Sequence, residues 1–211
     1  MNPKADKKNV ELRRLVGHLR DHIDVYRIIG INHDALKESS ISGVLLGHLQ
    51  KSAHESAALI ICKIFESSQR NDLNSIPGVI ESLRPTPIKG SQVTEFAVFG
   101  EKYGNCSKAT EAKAFLLGTF GLFCVIHSRA LDQFKEFRDK IGAHSDFNAK
   151  IIALGSLYEF EDFFGFANDF YRVVSHSMHR VEPAEIESRV GHGLVRLIKA
   201  MGITDPKFDF D

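Results

Sequence analysis

The stretch that decides the fold runs from Leu116 to Asp146 and reads LLGTFGLFCVIHSRALDQFKEFRDKIGAHSD. Its apolar residues recur at steps of three and four, which is the period of one face of an α-helix. The stripe consists of Leu116, Phe120, Phe123, Ile126, Ala130, Phe134, Phe137 and Ile141. This spacing predicts one long helix, beginning near Ala109 and ending in the polar motif FRDKIGAHSD, residues 137–146.

The same periodicity predicts five further helices, so the fold class is expected to be all-α, an antiparallel helix bundle. The first covers residues 9–29, the second follows Ser39 and Ser40 as its N-caps, and the third is short and begins at Pro77. The fourth opens with a capping box at Ser156–Glu159, and the fifth starts at Glu182–Ala184. In the last helix, Ile186, Val190, Leu194, Leu197 and Met201 are expected to face inward, with Gly202 as the C-cap.

Two segments stand apart from this helical pattern. Residues 85–108 are punctuated by prolines and glycines and are expected to form a long insertion between helices. Residues 1–8 are polar and are expected to form a flexible tail. The chain as a whole, residues 1–211, is expected to be a single domain.

Composition restricts the functions to be considered. The chain has 27 basic and 27 acidic residues, so its net charge is zero, and general electrostatic attraction to nucleic acid is not expected. We expect a cytoplasmic protein without a membrane partner, because no apolar run approaches the length of a membrane helix and the N-terminus is unlike a signal peptide. Cys62, Cys106 and Cys124 lack the spacing of a zinc site or disulfide framework and are expected to be reduced.

Arg138 and His144 are the candidate catalytic residues of the polar motif. Arginine holds a phosphate through a planar fork of donors, and histidine exchanges a proton near neutral pH. Together they could carry phosphodiester chemistry without a metal. Asp139 or Asp146 could orient these groups, while Lys140 adds positive charge, so Lys140 and Asp146 are candidate substrate-binding residues.

A purely structural interpretation of the motif is also open. Cations near the C-terminus of a helix interact favourably with the helix dipole, and this alone could account for Arg138 and Lys140. No cluster of carboxylates in the motif has the spacing of a two-metal site, and no glycine-rich phosphate loop follows a strand. We therefore expect neither a metal nor a cofactor.

The motif FRDKIGAHSD, together with the earlier run LLGHLQKSAHESAALIICKIFE at residues 45–66, resembles the HEPN superfamily. The resemblance is closest to the branch associated with U-type abortive-infection proteins. The family signature of an arginine, a polar residue and a later histidine falls on Arg138, Asp139 and His144. The resemblance implies a small helical bundle that dimerises and brings two motifs into one cleft. Many members are metal-independent ribonucleases that act as toxins or antiviral effectors, and others are inactive binding modules or partners of nucleotidyltransferases.

Two functions follow as hypotheses. In the first, the protein is a metal-independent endoribonuclease in which Arg138 holds the scissile phosphate, His144 is the general base or acid, and Asp139 orients Arg138 or the bound group. The second is a non-catalytic interaction or nucleotide-binding module, for example one half of a toxin–antitoxin pair. The expected partners are RNA, a second copy of the chain and an antitoxin or other regulatory protein. Exposure of Arg138 and His144 in a common cleft would favour the first hypothesis.

Overall fold

The computed structural model describes residues 3–38, 43–67, 73–108, 110–143, 154–178, 181–183 and 185–208. Over these residues the chain is helical and contains no strand, as the sequence predicts. The helices are α1 (Pro3–Ile31), α2 (His33–Glu38), α3 (Gly43–Phe65), α4 (Ile76–Ser82), α5 (Gln92–Lys102), α6 (Ala112–Ile126), α7 (Ser128–Ala143), α8 (Leu157–Val173) and α9 (Arg189–Ala200). A π-helical turn, Val174–Met178, continues α8. Ser39 and Ser40, the expected N-caps, lie outside the described residues.

Helix α1 begins at Pro3, within the segment expected to be a tail. Ala5 is buried, and the buried Lys8 side chain donates from Nζ to the carbonyl oxygen of Gly78 at 3.1 Å. The polarity of residues 1–8 predicts a flexible tail. Tertiary contacts override that signal, because the lysine stem packs inside while its ammonium group finds a backbone acceptor.

The expected long helix is two helices, α6 and α7, which meet at His127 with a bend of 79°. A straight helix over these 32 residues would be about 48 Å long, well beyond a small domain. The bend lets Phe123 of α6 and Phe134 of α7 both pack against Phe163 of α8. Ile126, expected in the buried stripe, is instead 66% exposed because the stripe breaks at the bend.

The expected insertion at residues 85–108 contains a helix, α5, that belongs to the main core. Phe96 and Phe99 of α5 are buried, and Phe99 packs against Phe166 of α8. Gly100 lets the chain approach closely, since a Cβ atom there would lie 2.4 Å from Cζ of Phe115. The proline and glycine punctuation therefore marks the ends of α5 rather than an irregular excursion.

Helix α8 supplies the centre of the core. Its capping box at Ser156 and Glu159 is formed as predicted. Its phenylalanines at steps of three and four are fully buried, and they are Phe160, Phe163, Phe166 and Phe170. This aromatic face contacts rings from α3, α5, α6 and α7. The packing of α8 therefore holds α7, which carries the polar motif, against the rest of the bundle.

Helix α9 begins at Arg189 behind the N-cap Ser188, whereas the sequence predicts its start at Glu182–Ala184. Its buried residues are Gly191 and Ile198, and Ile198 joins a second cluster with Ile28, Ile29, Leu36 and Leu46. Val190 and Leu197, expected to face inward, are 48% and 53% exposed. Gly202 follows the helix with φ of 97°, as suits a glycine C-cap. The structure differs from the prediction because residues 185–187 are not helical.

Among the described residues no single helix is long and apolar enough to cross a membrane. Helices α6 and α7 together have the length and composition of a span, but the 79° bend separates them.

Candidate functional site

Arg138, Asp139 and Lys140 lie in the last two turns of α7. The preceding face of this helix is anchored by Phe134 and Phe137, which are buried. Because adjacent residues point about 100° apart on a helix, burial of Phe137 turns Arg138 toward the edge of the packed seam. The Arg138 side chain is 35% exposed there.

Two carboxylates hold the Arg138 guanidinium. Nη1 donates to Oε1 of Glu66 at 3.1 Å, and Nε donates to Oδ1 of Asp139 at 2.9 Å. Glu66 directly follows α3, so the pair joins the end of α3 to the end of α7. The hydrogen bond to Asp139, opposed by some burial, raises the already high pKa of Arg138. The guanidinium is therefore a permanent cation in a defined orientation.

The thiol of Cys62 lies near this cation but is not reactive. Burial raises the pKa of Cys62 to about 11, and the positive charge of Arg138 offsets only part of that shift. The thiol stays protonated near neutral pH and cannot serve as a nucleophile.

Lys140 is paired with a carboxylate of its own helix. Its Nζ donates to Oε1 of Glu136 at 2.5 Å, one turn earlier on α7, and the side chain is 41% exposed. His144 and Asp146, the other candidate residues, lie outside the described residues, and His144 follows directly after α7. The structure thus places Arg138 with Asp139, and it adds Glu66 to them.

A second histidine, His54 of α3, lies beside Gly155, just before α8 begins. Its Nε2 is 3.2 Å from the carbonyl oxygen of Gly155, and its ring stacks on Tyr26 at 4.6 Å. Burial lowers the pKa of His54, against the hydrogen bond to Gly155, so the ring is neutral near pH 7. These contacts account for His54 as a packing residue that positions the start of α8.

A groove between α5 and the π-helical turn was not anticipated from the sequence. It encloses about 560 Å³ and contains His176, whose Nδ1 is 2.8 Å from Oε1 of Glu95. The same carboxylate accepts a short hydrogen bond from the Ser177 hydroxyl. The pairing could not be read from the sequence, because Glu95 and His176 are 81 positions apart and share no motif.

Among the described residues, no group of three or more His, Cys, Asp or Glu side chains is placed to hold a metal ion. The three cysteines are free thiols. What the site offers chemically is a fixed guanidinium cation that can bind an anionic oxygen.

The all-helical fold is compatible with a HEPN-type domain. The family model described as AbiU2, of the HEPN group, matches residues 3–187, and the chain belongs to this family. The matched range includes the whole polar motif and ends two residues before α9. Membership indicates a HEPN-type function related to abortive infection. No curated protein and no solved structure gives a significant match.

Proposed function

We propose that this protein is a metal-independent endoribonuclease of the HEPN type that acts in the cytoplasm as a toxin or phage-defence effector. The observation that carries the proposal is the guanidinium of Arg138, partly exposed at the end of α7 and oriented by Asp139 and Glu66. Family membership supports it, because the matched residues 3–187 include Arg138, Asp139 and His144.

In this mechanism the ribose 2′-oxygen attacks the adjacent phosphorus. His144 takes the 2′-hydroxyl proton as general base, or a histidine in the protonated form delivers a proton to the leaving 5′-oxygen. The bond from phosphorus to the 5′-oxygen breaks, leaving a 2′,3′-cyclic phosphate and a 5′-hydroxyl. Arg138 binds the non-bridging oxygens and stabilises the charge that develops on them. Asp139 holds the guanidinium in place.

The binding of RNA has to compete with the carboxylate of Glu66. The guanidinium has five N–H donors, which exceeds the two hydrogen bonds it makes to Glu66 and Asp139. A phosphate can therefore be bound while Asp139 stays in place. Lys140 and Asp146 are proposed to contact the substrate near this point.

We further propose that the active form is a homodimer that joins along α6. The segment from Ala114 to Ile126 has no charged residue, and four of its large apolar side chains are 42–73% exposed, namely Leu117, Leu122, Val125 and Ile126. Gly118 and Gly121 lie between them on the same exposed face. Apolar surfaces of this kind mark interaction sites, and twofold pairs are the commonest closed assembly.

The test is cleavage of single-stranded RNA by the purified chain, with product ends identified by mass spectrometry. Arg138→Ala and His144→Ala are expected to abolish cleavage while the thermal unfolding midpoint is kept, because an exposed ion pair contributes little stability. The matched control is Arg129→Ala, another exposed arginine of α7, which should cleave like the wild type. Normal cleavage by either site variant would overturn the assigned roles.

The same cleavage assay also tests whether the reaction needs a metal ion. Cleavage should persist in excess EDTA, and DNA should not be cut because it lacks the 2′-hydroxyl. Activity that is lost with chelator and restored by magnesium or manganese would assign a metal-dependent mechanism instead.

A second candidate function is a non-catalytic module that binds a nucleotide or an antitoxin. The observation that favours it is the engagement of Arg138 by two carboxylates, an arrangement that is also expected of a purely structural ion pair. This candidate predicts that Arg138→Ala lowers the unfolding midpoint and that wild-type protein leaves RNA intact.

A further inference from the structure

Helix α9 lies beyond the range matched by the AbiU2 family and carries a cationic stripe. The helix reads RVGHGLVRLIKA and contains no acidic residue. Four of its side chains are basic, Arg189, His192, Arg196 and Lys199.

These four side chains share one face. At about 100° per residue they fall within an arc of about 80°, and Arg189 and Lys199 are about 15 Å apart along the helix axis. All four are exposed. A chain with zero net charge therefore concentrates positive charge on a single helix face.

The stripe is not neutralised by ion pairs. Arg189, Arg196 and Lys199 form no salt bridge with the described residues, whereas Arg20, Lys102 and Arg138 are each paired with a carboxylate. His192 stacks on Phe208 with ring centroids 5.1 Å apart, which leaves its ring at the surface.

A groove of about 440 Å³ extends the basic surface from Arg189 to Arg13 and Arg14 of α1. Glu185 and Glu187 line this groove and also the one beside His192, so the positive charge is least compensated at Arg196 and Lys199.

The opposite face of α9 is already used for packing. Ile198 is fully buried in the second cluster, and Leu194 and Val195 pack against it. A helix that lies in a membrane surface needs its apolar face free for lipid. In α9 the large apolar side chains that are exposed to solvent are Val190 and Leu197, which lie beside the stripe. What the helix presents to solvent is therefore dominated by cations.

We propose that the stripe formed by Arg189, His192, Arg196 and Lys199 binds the phosphodiester backbone of single-stranded RNA. The choice of RNA among polyanions rests on the proposed function. The stripe has the properties of a sequence-independent backbone contact, since lysine and arginine neutralise phosphates and release counterions without reading bases. It would hold substrate RNA through an element outside the family-matched region.

The experiment measures equilibrium binding of a labelled single-stranded RNA whose 2′-hydroxyls are methylated, so that it cannot be cleaved by 2′-oxygen attack. Full-length wild type is compared with the triple variant Arg189→Gln/Arg196→Gln/Lys199→Gln over a range of salt concentrations. The control, Lys37→Gln/Lys63→Gln/Lys89→Gln, removes the same charge from three exposed lysines elsewhere. Far-ultraviolet circular dichroism checks that both variants fold.

Each phosphate contact to a single strand contributes about 0.7 to the slope of log affinity against log salt, so the triple variant should lower the magnitude of the slope by about 2. The control should keep the wild-type slope. Equal slopes in the two variants, or no RNA binding by the wild type, would overturn the inference. The inference would also be overturned if the triple variant lost binding to phosphatidylglycerol vesicles or to an acidic protein while its RNA binding stayed unchanged.

Cleavage of unmodified RNA separates this inference from the proposed function. If the stripe sets the salt slope but the wild type never cleaves RNA, the inference stands and the ribonuclease proposal fails. If the wild type cleaves RNA and the triple variant binds and cleaves equally well, only the inference fails.

Discussion

The contacts of Arg138 determine how easily its guanidinium can bind a phosphate. Its guanidinium donates hydrogen bonds to two carboxylates. Asp139 is adjacent in sequence, whereas Glu66 comes from the end of α3. The two carboxylates are therefore expected to act differently. Asp139 moves with Arg138 on the same helix, while Glu66 competes with an incoming phosphate.

Glu66→Gln is expected to tighten binding of uncleavable RNA by up to about fivefold, because a partly exposed ion pair is worth roughly 0.2–1 kcal/mol. Fluorescence anisotropy measures the change, and Glu81→Gln, an exposed carboxylate of α4, is the control. Weaker binding by Glu66→Gln would mean that Glu66 positions Arg138 for phosphate rather than competing with it.

His176 gives a prediction about pH. The hydrogen bond and charge of Glu95 raise the pKa of His176 above its ordinary value of about 6.5. Because the folded-state pKa is the higher one, the stabilisation is fully present below the unfolded pKa and is lost as pH rises through the folded pKa. An NMR titration of the ring should therefore have a midpoint above 6.5 in the wild type.

Glu95→Gln should return that midpoint toward the ordinary value, since it removes the negative charge 2.8 Å from the ring. In parallel, the wild type should lose part of its thermal stability as pH rises from about 6.5 through the higher folded-state pKa of His176, and His176→Gln should lack that component. A wild-type midpoint at or below the ordinary value would contradict the observed pairing.

Helix α8 organises the aromatic core, and Phe166 is its most connected ring. It lies within 4.1–6.2 Å, between centroids, of the rings of Phe65, Phe99, Tyr103, Phe120 and Phe123. Phe166→Ala should lower the free energy of unfolding by about 3–5 kcal/mol, through lost burial and the cavity left behind.

Tyr158→Ala on the same helix is the control. Tyr158 is 82% exposed, so its removal should change stability by no more than about 0.5 kcal/mol. Urea unfolding measures both variants. A small effect of Phe166→Ala would show that α8 is not the centre of the core in solution.

The assembly of the protein is proposed to depend on the exposed face of α6. Leu122→Lys/Val125→Lys should convert a dimer into a monomer in sedimentation velocity, because two charges would have to be buried in an apolar interface. Val93→Lys/Val98→Lys, which changes two exposed valines of α5, is the control and should sediment like the wild type. A wild type that is monomeric at micromolar concentration would refute the dimer.

If the active cleft needs two copies of the motif, the α6 variant should also lose RNA cleavage while Arg138 keeps its contact with Glu66. Retained cleavage by a folded monomer would show that one chain carries a complete site.

Local signals in the sequence determined most of the helices. The three- and four-residue apolar spacing, the capping box at Ser156 and the glycine at 202 act within a few residues of one another, so they can be read without the fold. The motif placed Arg138 beside Asp139 for the same reason. His144 and Asp146 remain predictions.

Tertiary structure alone decided the features that join distant parts of the chain. The helix broke at His127 because both halves can then pack on α8, although the apolar spacing continues through the bend. Residues within 3–8 and 85–108 join the core through contacts that polarity and glycine content hide. Glu66 reached Arg138 across 72 positions, because only packing of α3 against α7 brings those two side chains together.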